Sequence, residues 1–264
     1  MTQPTTNSST ARRALRTVPA LIAVAALGVA ATAFSAPASA AVLVELFTAQ
    51  GCSSCPPADR LLSAMGSDPD LGKQLVPLAY HVTYWNTKAW NDRFSDAEWT
   101  KRQQDYVVGA KGDRVYTPQM VIAGGRQCVG SDVKCIREGV EAASSAAQGT
   151  VTLELRPAGG DKIEVQVNAQ PPAGDRALEV MVALYENDLD TAVKGGENAQ
   201  KTLHDDYVVR RLVRAFKLSG EGAREGSVTL KLDKEWVRGH LGVAAFLQDP
   251  KTNAVYGAAA TALP

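Results

Sequence analysis

Two cysteines separated by two serines form the pattern with the most specific chemistry in this chain. Cys52 and Cys55 stand between a short apolar run, 42–48, and a segment of helical character that begins at Pro56. The first turn of a helix presents unpaired N–H groups and the positive end of the helix dipole, and both stabilise a thiolate. The placement predicts Cys52 as the ionised nucleophile and Cys55 as the thiol that resolves a mixed disulfide.

The same C-x-x-C spacing also occurs in zinc sites and in purely structural disulfides. A zinc site needs two more ligands, and the chain has no second C-x-x-C and no H-x-x-x-H pattern. The histidines His81, His204 and His240 are far apart in sequence, and only Cys128 and Cys135 remain to complete such a site. We therefore expect redox chemistry and no metal, with a structural disulfide as the main alternative.

A proline precedes the short predicted strand 120–123 and follows a long predicted helix. Cis X-Pro bonds are rare and usually lie in constrained turns. If Pro118 is cis and lies opposite the cysteines, backbone groups of Thr117 become available to pair with an extended substrate chain. A trans-proline at the start of a strand is the alternative, but the C-x-x-C motif favours the cis form.

Glu45 lies inside the apolar run that leads to the cysteines. A buried carboxyl that keeps its proton near neutral pH suits a proton relay to the thiols. An outward-facing position at a sheet edge, without a chemical role, is the alternative. The residues leave both interpretations open.

Aromatic side chains end the second predicted strand, 75–82. His81, Tyr84 and Trp85 could form the wall of a peptide-binding cleft near the cysteines, but core filling is the favoured interpretation. A polar cluster in the second half, also interpreted as structural, comprises Glu197, Asn198 and His204.

The remaining cysteines, Cys128 and Cys135, lie at the end of a predicted strand and in the first turn of the next helix. A pair so placed can meet within the usual Cα–Cα range of a disulfide, about 4.4–6.8 Å. A local structural disulfide is the simplest interpretation for an exported chain. The alternative is a second redox pair that exchanges with Cys52 and Cys55.

The two halves of the chain have different patterns. The first follows the order β-α-β-α-β-β-α, which predicts an α/β layer; its predicted elements are 42–48, 56–65, 75–82, 95–108, 120–123, 127–129 and 132–147. The second has short runs, several of them alternating, and turn residues between them, which predicts an antiparallel sandwich or barrel; its predicted strands are 151–155, 163–167, 178–185, 207–218, 227–232, 241–247 and 254–261. We expect one domain at 41–148 and an all-β sandwich-like domain at 150–264.

The first 40 residues have the pattern of a secretory signal peptide. Three arginines precede an apolar run at 18–34, and Ala38-Ser39-Ala40 provides small residues at the cleavage positions. A membrane anchor is the alternative, because about 17 apolar residues approach the length that spans a bilayer. With cleavage we expect a secreted or periplasmic protein with no stable membrane insertion.

Charge excludes one class of partner. Basic and acidic side chains number 28 each over the whole chain. The acidic residues all lie beyond the first 40, so the remainder carries a small acidic excess. Nucleic acid binding requires a basic stripe, and none is visible.

The sequence resembles the thioredoxin fold in its strand, C-x-x-C-P, helix and late Thr-Pro. The segments VELFTAQGCSSCPPADRLL, YHVTYWN, VYTPQMVIAG and GGENAQKTLHDDYVVR are more closely similar to the bacterial secreted family DUF1223. This resemblance implies a thioredoxin-like fold and dithiol chemistry, but no substrate. It places Cys52 and Cys55 on the dithiol and Pro118 on the cis-proline. The sequence departs from these patterns at two positions. Glu45 lies one residue further from Cys52 than the buried acid of thioredoxins does, and Thr83 stands where members of the DUF1223 family often have an acid.

Together these features predict an exported thiol–disulfide oxidoreductase that acts on secreted proteins or small disulfides. Its partners would be thiols and disulfides, including a redox partner protein, and the dithiol would need no separate cofactor. The main alternative is a non-catalytic secreted binding module with structural disulfides. A thiol peroxidase activity is a weaker third option.

Overall fold

The computed structural model describes residues 1–4, 34–35, 41–110, 112, 114–146, 148–174, 176–220 and 222–264. The predicted signal peptide, 1–40, lies outside the described residues except for 1–4 and 34–35. Phe34–Ser35 forms a short strand beside the segment that begins at Thr150.

Three helices and fourteen strands lie in the described part of the chain. The helices are α1 (Pro56–Ser67), α2 (Ala97–Gly109) and α3 (Val133–Ser145). The strands are β1 (Phe34–Ser35), β2 (Val42–Thr48), β3 (Leu75–His81), β4 (Gln119–Ile122), β5 (Arg126–Val129), β6 (Thr150–Pro157), β7 (Lys162–Gln170), β8 (Leu178–Glu186), β9 (Leu189–Ala192), β10 (Thr202–Asp205), β11 (Val208–Leu218), β12 (Arg224–Lys231), β13 (Leu241–Gln248) and β14 (Val255–Ala262).

Each helix begins at a residue suited to that position. Prolines occupy the first two positions of α1, where no intrahelical N–H partner is lost. Asp96 caps α2 by accepting a hydrogen bond from the Glu98 amide at 2.8 Å. Ser95, the first residue of the predicted helix 95–108, lies before this cap, and its hydroxyl donates to the carbonyl of Asp92. Asp132 caps α3 through the Cys135 amide.

The main sheet has eight strands in the order β14-β13-β8-β11-β3-β2-β4-β5. β3 is parallel to both β2 and β11, and the other neighbours are antiparallel. Every residue of β2 and β3 is buried. Their near-continuous apolar sequences follow from this, because strands covered on both faces need apolar side chains on both.

Three apolar clusters cover the two faces of this sheet. On one face, Phe47 and Tyr80 pack with Trp99 and Tyr106 of α2. On the other face, α1 and α3 cover β2, β3 and β4. The rest of that face, on β8, β13 and β14, packs against a four-stranded sheet in the order β1-β6-β7-β12. In β6 and β7 buried residues alternate with more exposed ones, as expected for a sheet with one covered face.

The strands of the second half do not build a separate sandwich. Four of them, β8, β11, β13 and β14, extend the sheet of the first half. The junction lies between β11 and β3, where the Ala79 amide donates to the Tyr207 carbonyl at 2.8 Å. Without β11 this edge of β3 would expose unpaired backbone groups. The predicted division at 148–150 therefore falls inside one compact unit, Ala31–Pro264.

A hairpin that the sequence did not predict carries an important loop. β9 and β10 pair antiparallel as a separate two-stranded sheet. Residues 193–201 connect them, and we call this segment the covering loop. Its base is closed by hydrogen bonds between Val193 and both Gln200 and Lys201. The covering loop reaches the cysteine pair, as described below.

Candidate active site around a buried disulfide

Cys52 and Cys55 form a disulfide in the loop between β2 and α1, with their Cα atoms 5.5 Å apart. Cys55 is the N-cap of α1, and its carbonyl accepts hydrogen bonds from the amides of Ala58 at 2.8 Å and Asp59 at 3.1 Å. Cys52 Sγ lies 3.3 Å from the hydroxyl of Ser54. The pair thus lies at the helix start that the sequence predicted, with a hydroxyl beside the first sulfur.

The covering loop closes over this disulfide. Asn198 Nδ2 donates to the carbonyls of Gln50 at 3.0 Å and Cys52 at 2.8 Å. The Glu197 carboxylate accepts from the Ser53 amide at 2.9 Å and from its hydroxyl at 2.6 Å. Both cysteines are 0% exposed. The sequence predicted a reachable Cys52, whereas in the structure Cys52 is buried and disulfide-bonded. The local sequence could not reveal that a loop from the other half of the chain covers the motif.

Thr117 and Pro118 lie close to the start of α1, and the peptide bond between them is cis. Gly130 stands between Pro118 and the helix. A Cβ on Gly130 would lie 2.8 Å from the Pro118 Cβ and 2.9 Å from the Ala58 Cβ. The proline and the first turn of α1 therefore pack together with no room for a side chain between them.

The predicted aromatic group follows β3 and divides into two environments. Trp85 Nε1 donates to the Thr117 hydroxyl at 2.6 Å, and a Cβ on Gly51 would lie 3.1 Å from the Trp85 carbonyl oxygen. Trp85 thereby links the cysteine loop to the Thr117 segment. Tyr84 is partly exposed, and its hydroxyl donates to Gln103 at 3.1 Å.

His81 belongs to a buried polar cluster beneath the cysteine loop. Its Nδ1 lies 2.7 Å from the Asp92 carboxylate, which also accepts from the amides of Gln50 and Phe94. Burial alone would lower the pKa of His81, but the carboxylates of Asp92, Asp205 and Asp59 outweigh burial and raise it to about 9. Burial acts to raise the pKa of Asp92, but the paired imidazolium of His81 and the hydrogen bonds to the carboxylate outweigh burial and lower this pKa.

Two further carboxyls face the same cluster from α1 and β10. Asp59 accepts from the Thr48 hydroxyl at 2.7 Å, and Asp205 accepts from Gln50 Nε2 at 3.3 Å. Burial, and then the repulsion of Asp205, raise the pKa of Asp59 to about 7. Burial also raises the pKa of Asp205. Sequence reasoning missed both residues, although Asp59 stands four positions after Cys55, on the same face of a helix.

Glu45 has a different environment from the one a proton relay would need. Its carboxylate pairs with Arg102 Nε at 2.8 Å and accepts the Tyr106 hydroxyl. Arg102 also donates to Gln248 at 3.1 Å and to Tyr106 at 2.7 Å. Burial acts to lower the pKa of Arg102, and the Glu45 carboxylate more than compensates and raises it. The glutamate is therefore engaged in an ion pair between β2 and α2.

Cys128 and Cys135 form the second disulfide, which joins β5 to α3 with Cα atoms 5.9 Å apart. Cys128 is buried beside Met120 and Ile136 in the core under α1 and α3. Its surroundings are those of a core residue that ties a strand to a helix.

The predicted polar cluster of the second half separates into two parts. Glu197 and Asn198 hold the cysteine loop, whereas His204 pairs with Asp190 at 2.9 Å and with Asp206 at 3.4 Å. His204 is half-exposed. The family-like segment GGENAQKTLHDD was the one sequence signal that pointed to this region.

Within the part of the chain that the structure describes, no three His, Cys, Asp or Glu side chains are arranged to hold a metal ion. None of the described helices is both long and apolar enough to cross a membrane.

These features define a protein with a mixed sheet and a C-x-x-C disulfide at a strand-to-helix junction. Residues 43–248 match the model of a family described as a protein of unknown function, DUF1223, and the chain belongs to that family. The crystal structure of protein AGR_C_4864 from Agrobacterium tumefaciens is similar, with 29% identity, coverage of 83% of this chain and 92% of that chain, and a TM-score of 0.63.

HBP35 of Porphyromonas gingivalis is a second similar structure. It has 14% identity, coverage of 85% of this chain and 76% of that chain, and a TM-score of 0.61. At that identity the likeness concerns the fold alone. No curated protein matches the chain significantly.

Proposed function

We propose that this protein is an exported thiol–disulfide oxidoreductase with a thioredoxin-like core. One observation carries the proposal: the Cys52–Cys55 disulfide lies at the N-terminus of α1, beside the Thr117–Pro118 segment. The free N–H groups of a helix start stabilise a thiolate on the nearby sulfur once the disulfide is reduced. The substrates would be disulfides of secreted proteins or small disulfides.

The exchange proceeds in two steps that together transfer two electrons. The Cys52 thiolate attacks one sulfur of the substrate disulfide, forms a mixed disulfide and expels the other substrate sulfur as a thiolate. Cys55 then loses its proton and attacks Cys52 Sγ, which restores the Cys52–Cys55 disulfide and releases the second substrate thiolate. The substrate is reduced and the protein is oxidised. A partner dithiol then reduces the Cys52–Cys55 disulfide again. Thr117 would hold the substrate backbone during the first step.

Export is supported by two features of the chain. The two disulfides are consistent with an oxidising compartment. The arginines, apolar run and Ala38-Ser39-Ala40 sequence of the first 40 residues have the pattern of a cleaved signal. We place the mature protein in the bacterial cell envelope or outside the cell.

One observation favours a second candidate, a binding module in which both disulfides are structural. Both Cys52 and Cys55 are 0% exposed beneath the covering loop. A structural disulfide would be protected in this way, and the second half of the chain would then bind a partner. This candidate predicts a strongly reducing potential for the Cys52–Cys55 pair.

A redox titration decides between these two candidates. The Cys128→Ala/Cys135→Ala double variant leaves one titrating disulfide, and its equilibrium with glutathione buffers is followed by alkylation and mass spectrometry. The oxidoreductase requires a potential above about −300 mV and rapid alkylation of reduced Cys52 at mildly acidic pH. A potential below about −300 mV, with slow alkylation, would support the binding module instead.

A further inference from the structure

We infer that Asp59 is the proton acceptor for Cys55 in the resolving step, and that it exchanges this proton with solvent through a small cavity beside His204. The inference rests on the proposed function, because it assigns a role within that reaction. It concerns a residue on α1 and not Glu45, which is engaged by Arg102.

The helix places Asp59 one turn after Cys55. The Cys55 backbone is helical, and the Asp59 amide donates to its carbonyl at 3.1 Å. Side chains at positions i and i+4 of a helix lie on one face, with Cβ atoms about 6 Å apart. A carboxyl at that distance can approach a thiol directly by a change of rotamer.

The surroundings of Asp59 keep it ready to take up a proton. Asp205 faces it from β10, His81 faces it from β3, and Asp92 lies behind His81. The Thr48 hydroxyl donates to Asp59 from the end of β2. The two nearby carboxylates and burial disfavour its charge more than His81 and Thr48 favour it, so its pKa is raised to about 7. An acceptor for a thiol proton works best with a pKa near the operating pH.

The polar cluster around Asp59 is not fully satisfied internally. His81 Nε2 and Gln50 Oε1 are buried and have no hydrogen-bond partner among the described residues. Fully structural polar networks normally pair every buried group, and exceptions are a mark of functional sites. On the opposite face of the sheet, Glu45 and Arg102 pair with each other and with Tyr106 and Gln248. The Tyr80 hydroxyl beside them has no partner among the described residues.

A cavity of about 130 Å³ gives Asp59 a route to solvent. Its lining residues are Pro56, Asp59, Arg60, Thr202, Leu203 and His204. The His204 side chain is 49% exposed, and the adjacent carboxylates of Asp190 and Asp206 raise its pKa. The cavity therefore joins the inner carboxyl to a titrating surface group.

The proposed step balances without any additional reagent. The S–H bond of Cys55 breaks, its proton passes to the Asp59 carboxylate, and the Cys55 thiolate attacks Cys52 Sγ. The mixed disulfide breaks and the substrate leaves as a thiolate. Asp59 afterwards releases its proton to solvent through the cavity.

A single-turnover reaction with the aromatic disulfide 5,5′-dithiobis(2-nitrobenzoate) separates the two steps. The protein is reduced and carries Cys128→Ala and Cys135→Ala, so that only the active pair reacts. The first coloured thiolate reports attack by Cys52, and the second reports resolution by Cys55. We expect Asp59→Asn to leave the first phase unchanged and to slow the second about 100-fold at pH 7.5. Asp70→Asn, an exposed acid just after α1, is the matched control and should change neither phase.

The pH profile excludes a merely structural effect. The second phase of the parent protein should level off above about pH 7, whereas in Asp59→Asn it should keep rising towards the ordinary thiol pKa of about 8.5. An unchanged second phase in Asp59→Asn would overturn the inference. Absence of the first phase from every variant would instead overturn the proposed function.

A measurement on the unsubstituted protein covers the case in which Asp59→Asn does not fold. The side-chain carboxyl carbon of Asp59 is titrated by NMR in the oxidised and reduced forms. We expect protonation near pH 7 in the oxidised form and a different midpoint in the reduced form, because a thiol that shares its proton is coupled to the carboxyl. Equal midpoints in both forms would refute the role of Asp59.

Discussion

Two buried groups of charged residues lie on opposite faces of the central strands, and they differ in how completely their charges are paired. On the α2 face, Arg102 and Glu45 form an ion pair that Tyr106 and Gln248 complete. A buried pair of this kind fixes geometry, and removal of either partner would leave an uncompensated charge. On the opposite face, carboxyls outnumber the single His81. Buried carboxyls with raised pKa values, such as Asp59 and Asp205, occur preferentially at functional sites.

The first prediction concerns the pH dependence of stability. The folded protein holds the Asp59 proton up to about pH 7, whereas an ordinary aspartate loses it near 3.8. The free energy of unfolding therefore falls as the pH rises between these values. Asp59→Asn removes that fall, and we expect it to be more stable than the parent at pH 8 by about 2 kcal/mol, allowing for partial solvent contact. Urea unfolding of the oxidised protein from pH 4.5 to 9.5 measures this difference.

His81 adds a second decline at higher pH. Its pKa is raised from 6.5 to about 9, so its stabilisation is complete below 6.5 and is lost as the pH rises towards 9. His81→Gln should therefore be less stable than the parent at pH 6, and its free energy of unfolding should not decline above pH 6.5.

A control variant applies to both predictions. Asp105→Asn, which alters an exposed ion pair with Lys101, should keep the pH profile of the parent. A parent-like profile in Asp59→Asn would show that Asp59 is an ordinary surface acid.

At the residue scale, the sequence predicted a cysteine pair at the start of a helix, where the structure places Cys52 and Cys55, but it did not single out Asp59. Cys52 and Cys55 stand out because their spacing and their place before a helix are local features. Glu45 stood out because it interrupts an apolar strand, yet its partner Arg102 lies 57 positions away. Asp59 resembles any acid in the first turn of a helix. Burial and the charge of Asp205, a residue from the other half of the chain, raise its pKa, and no local pattern contains that information.

At the scale of elements, the β9–β10 hairpin carries the loop that contacts the disulfide-bearing segment. The strands have only four residues each, and the covering loop between them is held to the cysteine loop by Glu197 and Asn198. Such a loop has few apolar contacts and opens more easily than the sheet core. The sequence analysis interpreted Glu197 and Asn198 as structural, and no local pattern indicated that they contact the cysteine loop, which lies more than 140 residues earlier.

The second prediction concerns the rate at which the disulfide is reduced. Glu197→Ala removes two hydrogen bonds to Ser53. These two bonds are among the contacts that hold the covering loop to the cysteine loop, so we expect the loop to open several-fold more often without them. The rate of reduction of Cys52–Cys55 by dithiothreitol, measured by quenched alkylation, should rise by the same factor.

A control variant and pH separate opening of the loop from general destabilisation. Glu235→Ala changes an exposed glutamate outside the covering loop and should leave the rate unchanged. The hydrogen bonds from Ser53 lower the pKa of Glu197. The contact between Glu197 and Ser53 should therefore persist to mildly acidic pH and weaken only below the usual pKa range of a glutamate. Equal reduction rates for the parent and Glu197→Ala would mean that the covering loop does not limit access.

At the scale of the whole molecule, the main sheet joins the two halves of the chain. Alternation and turn spacing correctly indicated strands after residue 150, because burial on one face leaves a local pattern of period two. These patterns could not indicate that β11 pairs with β3, because the paired residues, Val208 and Ala79, are far apart in sequence. The edges of β3 and β11 come together only in the folded chain, so the sequence patterns predicted a domain boundary where the structure has one continuous sheet.

The last prediction follows from this shared sheet. Leu153→Ala in β6 removes a buried side chain from the core between the two sheets and should cost about 2–5 kcal/mol. Fluorotryptophan signals report separately on Trp99 in α2 and on Trp236 in the second half. We expect both signals to follow one urea transition, and both to shift equally in Leu153→Ala, because the halves share one sheet. Thr229→Ala, at an exposed position of β12, should shift neither signal. A shift of Trp236 alone would establish a folding boundary near 148–150 despite the continuous sheet.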